Sequence, residues 1–435
     1  MKKMLAALLA VILVMSLAPL ALAEETLELK LFYPVNVDGP LVALIEKICA
    51  DFTAENPNII IKPIYTGNYD DNIIKLQTAF EAKDQPDMVI NLGTNRFSMV
   101  YSDYALCLDD LIASDGGDEF INDFVESFMI DSFVDGKIYS IPFQRSVNIL
   151  YYNKDMFAAA GLDPETPPTT WEELINYAKK LTLRDDKGNV TQWGVALGLS
   201  TGSAQWTFTG LALQNSLDGS GLATEDGKAV LFNTNENIEA LQFVIDLQQK
   251  YKVMQEGIIA NGDLPTMLKE GVVAMIENTT GGMTSIASSG INFGVAMLPG
   301  PRRNGAPTGG GNIYICSGIP ESHQKAAWSF IRFATEPERV AQWAVDTGYV
   351  ATRYSAMETE TYKAYLENRP QAAIGMEALK YAAPELTVFD CAKIWRIFND
   401  YVQAAIIGEM TAAEAMNAAF GANYNPWGGT ATNWQ

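Results

Sequence analysis

The 435-residue sequence predicts an α/β protein of two lobes, each a mixed, largely parallel sheet flanked by helices and joined to the other by a hinge. Strand-like and helix-like patterns alternate through the first 90 residues after an apolar N-terminal stretch, and such alternation builds a sheet with helices on both faces. A second alternating run, with its own helix-start signals, follows residue 150. No repeat or low-complexity linker separates the two runs. A chain this long exceeds one small core, and two cores without a flexible joint imply several crossings that act as a hinge.

At the N-terminus, Lys2 and Lys3 precede an apolar run ending in Ala21-Leu22-Ala23, the order of a cleavable export signal over residues 1–23. The run is too short for a permanent anchor, and no Cys follows it to carry lipid. A periplasmic or extracellular location is expected. Next come a period-two strand at Leu27 to Leu31, a helix at Leu41 to Phe52 ending before Asn56-Pro57, a strand from Ile59, a helix at Asp70 to Ala82 and a strand at Met88 to Ile90. Ligands of such a sheet sit beyond the carboxyl ends of its strands.

Tyr139 to Tyr152 reads as two extended segments. A short helix at Lys154 to Ala160 and the rigid Asp163-Pro164 and Pro167-Pro168 connections follow. Thr170 to Glu173 and Thr411 to Glu414 have the spacing of capping boxes. The second run has strands at Gly194 to Leu197, Val272 to Ile276, Phe293 to Met297 and Asn312 to Cys316, and helices at Glu236 to Lys250 and Leu264 to Lys269. Beyond His323 the pattern is mostly helical. The expected division is residues 24–147 and 302–345 in lobe 1, and 148–301 and 346–435 in lobe 2.

A formal net charge of −22 argues against a nucleic-acid partner and against docking on anionic lipid. Cys49, Cys107, Cys316 and Cys391 form no CxxC pair and sit in apolar contexts, so buried thiols are expected rather than a metal or redox motif. The one histidine, His323, reads as an exposed helix-start residue, and no nucleophile motif accompanies it. Adjacent acids such as Asp109-Asp110 read as solvated helix surface. Neither catalytic residues, a metal site nor a cofactor is expected. Gly309-Gly310-Gly311 lacks the Lys-Ser/Thr of a phosphate loop and reads as a close-approach backbone segment. Free amides at Thr280-Gly281-Gly282 could receive an anionic or hydroxylated group. Tyr65, Tyr69, Trp206 and Tyr349 pair flat apolar faces with a polar handle, which suits stacking on sugars.

The stretch Ile141-Pro142-Phe143 through Ile149 to Phe157, then Ala160 to Pro164 and Pro168 to Leu174, with Thr347-Gly348-Tyr349 later, resembles the family 1 extracellular solute-binding proteins of ABC importers. The likeness implies a type II periplasmic-binding-protein fold, a monomer that closes on a small ligand, and delivery to membrane permease subunits. Tyr65-Thr66-Gly67-Asn68-Tyr69 is similar to a motif of the glycerol-3-phosphate-binding subgroup. That resemblance carries ligand-binding roles onto Tyr69, Ser146, Trp206, Thr279 or Thr280, Gly310, Tyr349 and Arg396. Asn91 stands where the subgroup has a glutamate, and Arg145 adds a cation beside Ser146. The ligand implied is glycerol 3-phosphate or a related phosphorylated polyol. A neutral mono- or oligosaccharide is the alternative, and a secreted glycan hydrolase is a third reading.

Overall fold

The computed structural model describes residues 26–35, 40–200 and 204–422, and the expected export signal at 1–23 lies outside them. The strands are β1 (Leu27–Tyr33), β2 (Ile59–Tyr65), β3 (Met88–Leu92), β4 (Phe133–Val134), β5 (Lys137–Ile138), β6 (Ser140–Asn153), β7 (Leu183–Arg184), β8 (Val190–Ala196), β9 (Val273–Thr279), β10 (Phe293–Ala296), β11 (Ala306–Ile315) and β12 (Ala382–Pro384). Ten of them share one hydrogen-bonded sheet in the order β2-β1-β3-β11-β6-β9-β8-β7, with β10 on β6 and β12 on β11. β4 and β5 form a separate hairpin. β1 pairs parallel with β2 and β3, and β8 pairs parallel with β9. The pairings of β11 with β3 and β6, and of β6 with β9, are antiparallel.

Local sequence explains the elements. β1 buries Leu29, Leu31 and Tyr33 on one face, the period-two pattern of a strand. Helix Leu41–Glu55 buries Leu41, Ile45, Cys49 and Phe52, and helix Trp171–Leu181 buries Trp171, Leu174, Ala178 and Leu181. Both stripes follow the three-four spacing of a helix laid on a core. Fully burying each such leucine or phenylalanine stabilises the fold by about 1.5–3 kcal/mol.

Two large hydrophobic cores result. One gathers Leu29, Phe52, Ile90, Ile141, Ile313 and Phe330. The other gathers Phe157, Leu211, Val244, Met275, Ile394 and Phe398. β6 serves both, with Ile141 and Phe143 in the first and Val147, Ile149 and Leu150 in the second. β11 also serves both, through Ile313 and Ile315 on one side and Ala306 on the other.

Several expectations change. The extended region at 139–152 is one strand of 14 residues, every one of them buried, rather than two segments. The triple glycine lies inside β11, not ahead of it. Thr411 and Glu414 form a reciprocal capping box. At Thr170 the hydroxyl accepts from Glu173 N–H, but the Glu173 carboxylate accepts from Thr169 N–H, one residue earlier than in a box. His323 is not an open helix-start residue: its Nδ1 lies 2.7 Å from Asp87 Oδ1, with the ring only 26% exposed. All four cysteines are unpaired; three are buried and Cys107 is half-buried. No helix among the described residues is long and apolar enough to cross a membrane.

Candidate functional site

A cleft of about 630 Å³ opens where the two cores meet. One rim is the turn from β2 into helix Tyr69–Glu81. Gly67 takes φ +100°, and the Asn68 side chain accepts from Asp71 N–H while Asp71 accepts from Asn68 N–H. The Thr66 hydroxyl ties the turn back to Tyr33 O at 2.9 Å. This closed turn points Tyr65, Asn68 and Asp70 at the opening and sinks Tyr69, whose hydroxyl meets Gln144 Nε2 at 2.5 Å. Burial pushes the Tyr69 phenol well above its ordinary pKa, against smaller lowering by Gln144 and Arg145, so it stays a neutral donor and acceptor.

The opposite rim carries Ser200, Asn261, Gly262, Pro265, Asn278 and Ser285. β9 ends here. Thr279 caps the turn that follows, its hydroxyl accepting from Gly281 N–H at 3.1 Å. That amide, which the sequence offered to a ligand, is therefore engaged.

The floor is built from Ser146 of β6, Gly309 and Gly310 of β11, and Trp206, Tyr349 and Trp395. The Trp395 indole donates to Leu386 O at 2.8 Å. A Cβ on Gly281 would lie 2.9 Å from the Tyr349 ring, and one on Gly309 would lie 3.3 Å from Trp206 Nε1. Glycine at these two positions lets the rings approach the backbone.

Six of the residues expected to touch ligand line this cleft: Tyr69, Ser146, Trp206, Thr279, Gly310 and Tyr349. Four do not. Asn91 is fully buried behind the sheet, where its Oδ1 accepts from Leu92 N–H and Asn95 Nδ2, and Leu92 takes the lining position. Thr280 is turned inward, its hydroxyl accepting from Val147 N–H. Arg145 is fully buried and bonded to Asp131 at 2.6 Å. Arg396 is exposed on helix Cys391–Ile406 near Asp390, while its neighbour Trp395 faces the cleft. In each case the adjacent residue does the lining, because neighbours in a strand face opposite sides and neighbours in a helix differ by about 100°.

Gln205, Asn261, Asn278, Glu385 and Trp395 line the cleft without having been singled out in the sequence. They come from loops, helix faces and the end of β9, where no motif marks them. Glu385 is 6% exposed and accepts from Gln205 Nε2 at 3.2 Å. Burial pushes its carboxyl up to about 8. None of the described lining residues is Lys, Arg or His. Among the described residues no cluster of His, Cys, Asp and Glu could hold a metal. The arrangement offers ring faces, amides and hydroxyls to a polar guest.

A family model described as bacterial extracellular solute-binding protein matches residues 47–370. The chain is 26% identical over 403 residues to the sn-glycerol-3-phosphate-binding periplasmic protein UgpB of Pectobacterium atrosepticum, covering 88% of each chain. It is likewise 26% identical over 401 residues to the protein of the same name from Salmonella typhimurium, covering 88% of this chain and 89% of the relative. Among solved structures it superposes on UgpB of Mycobacterium tuberculosis in complex with glycerophosphocholine, with a TM-score of 0.79, 24% identity, and coverage of 89% of this chain and 95% of that one. A substrate-binding protein of Listeria monocytogenes in complex with cycloalternan gives a TM-score of 0.77 at 21% identity, covering 91% of this chain and 97% of that one.

Proposed function

We propose, for a chain that belongs to the bacterial extracellular solute-binding protein family, that the cleft captures an uncharged, polyhydroxylated molecule such as a sugar. The chain is a solute-binding protein of an ABC importer, with the two-lobe fold, and acts outside the cytoplasm with permease subunits of that importer. One observation carries our reading of the ligand. The described lining has no cation, yet it has Tyr65, Tyr69, Trp206, Tyr349 and Trp395 beside the acids Asp70 and Glu385. A phosphate dianion enclosed there would meet carboxyls and no counter-charge, and an unpaired buried charge is costly. Aromatic faces with amides and hydroxyls suit the apolar and polar faces of a sugar ring.

Lobe 1, residues 24–147 and 302–345, would carry the rim at Tyr65 to Asp70, and lobe 2 the rim at Asn261 to Pro265. Rotation about the β6 and β11 crossings would bring the rims together. Ligand favours the closed state because only there do both rims touch it. The guest is released unchanged, as a monomeric receptor and not an enzyme would do.

The second reading is a phosphorylated polyol, favoured by the likeness to glycerol-3-phosphate-binding relatives over most of both chains. Arg396, the cation expected to support it, lies outside the described lining. Titration calorimetry of the purified protein with maltotriose, mannobiose, glycerol 3-phosphate and glycerophosphocholine decides between them. Binding of a neutral saccharide, recovered intact by chromatography, is the expected result. Tight binding of glycerol 3-phosphate with no saccharide response would sink the neutral-ligand reading, and a cleaved saccharide would sink the receptor reading.

A further inference from the structure

Among the described lining residues Glu385 is the one buried carboxyl of the cleft wall, and it also borders a second cavity of about 890 Å³ behind segment 383–387. Hydrogen bonds hold its surroundings. Leu386 N–H donates to Thr209 Oγ1 at 3.2 Å, and Leu386 O accepts from the Trp395 indole. Gln205 presents its amide N–H to Glu385 Oε1 because Asn399 Nδ2 occupies Gln205 Oε1 at 3.0 Å. The other carboxyl oxygen has no hydrogen-bond partner among the described residues.

Four titratable or charged groups act on this carboxyl from the packed elements: Asp131, Arg145, Asp70 and the Cys391 thiol. Asp131 and Asp70 disfavour its charge, and Arg145 favours it. The Arg145 guanidinium is already committed to Asp131, and no cation bonds Glu385 directly. A buried carboxylate with one neutral amide donor is poorly solvated, so the acid form is preferred.

We propose that Glu385 faces the cleft as an uncharged carboxylic acid whose O–H donates a hydrogen bond to a ligand hydroxyl oxygen. This rests on the neutral, hydroxylated ligand proposed above. Gln205 takes up the carbonyl oxygen, which leaves the O–H for the guest. The acid is thereby a specificity-determining donor in a cleft wall that lacks a cation.

The sign of the pH dependence follows. The free protein holds this proton up to about pH 8. Ligand accepting from the O–H holds it more tightly still. Affinity is therefore constant below that pH and falls by about tenfold per unit above it.

Two measurements on the full chain, wild type and Glu385→Gln, test this. In the ligand-free protein at pH 6.5, an infrared difference spectrum between the two should contain the carbonyl band of a protonated acid. Calorimetry with maltotriose and mannobiose from pH 6 to pH 9.5 should show the alkaline loss in wild type. Glu385→Gln, which cannot ionise, should show a flat alkaline limb whatever its affinity at pH 6.5. An absent acid band overturns the proposal. So does an unchanged alkaline loss in Glu385→Gln, or affinity that rises above pH 8, the signature of an ionised acceptor. If the acid band is present but neither saccharide binds at any pH, the neutral-ligand reading fails, and with it the donor role, while the protonation stands.

Discussion

Arg145 is among the largest fully buried side chains of the protein, and it is held by charge and backbone together. Asp131 bridges it, at 2.6 Å, to the equally buried Arg96 at 2.7 Å. Its guanidinium also reaches Asn312 Oδ1 at 3.2 Å and Gly310 O at 3.3 Å, and lies over the Phe128 ring. One carboxylate thus serves two cations behind the cleft floor. In the sequence Arg145 reads as a possible ligand contact because Ser146 beside it is expected to be one. Strand alternation makes the two mutually exclusive: if Ser146 faces the cleft, Arg145 faces the opposite layer. Asp131, the partner that explains Arg145, is invisible to local reading because the hairpin between them must fold before they meet. Asp131→Asn should leave two guanidinium groups in a dry site without their anion. We expect a loss of about 3–5 kcal/mol in urea unfolding, the usual cost of removing one partner of a buried pair. A loss below about 1 kcal/mol would mean that water reaches this cluster.

The element that sets the floor is β11, and its three glycines differ in their reasons. Gly310 has φ +86°, and a Cβ there would lie 2.0 Å from Gln144 O. A Cβ on Gly311 would lie 3.0 Å from the Tyr69 hydroxyl. The pairing with β6 shifts register between Gly311 and Asn312, a bulge that follows from the unusual backbone at Gly310. Gly310→Ala should cost about 1–3 kcal/mol from the left-handed backbone alone. The contact with Gln144 O adds to that and moves β6, so ligand affinity should fall with stability. Equal stability of Gly310→Ala and wild type in urea would show that the strand relaxes freely. The sequence marks this run as a place of close backbone approach but not as strand interior, since glycine runs usually punctuate strands. β6 is hard to read in the sequence for a related reason. A strand buried on both faces loses its period-two pattern, and Gln144, Arg145 and Asn148 are buried polar residues that bond distant partners. By contrast β1, helix Leu41–Glu55 and helix Leu264–Lys269 have one less buried face each, and their periodicity makes them legible within about three residues.

At the scale of the molecule, the two cores are not independent. β6 runs unbroken through both, and β11 pairs with β3 in one and with β12 beside the other. Unfolding either core removes the pairing partners of a strand that the other core needs. The lobes can rotate about these strands, since a hinge bends a few backbone angles without breaking a ladder. They cannot melt separately without stranding buried backbone groups of β6, each of which would lose its hydrogen bond. Calorimetric unfolding of the purified protein should therefore be one transition, with van't Hoff and calorimetric enthalpies in agreement. A saturating saccharide at about a hundred times its Kd should move that whole transition by about 2.7 kcal/mol of added stability. Two resolved transitions, only one of them shifted by ligand, would show that the crossings are joints between autonomous domains. Closure would then be docking of separate bodies, not bending of a shared sheet.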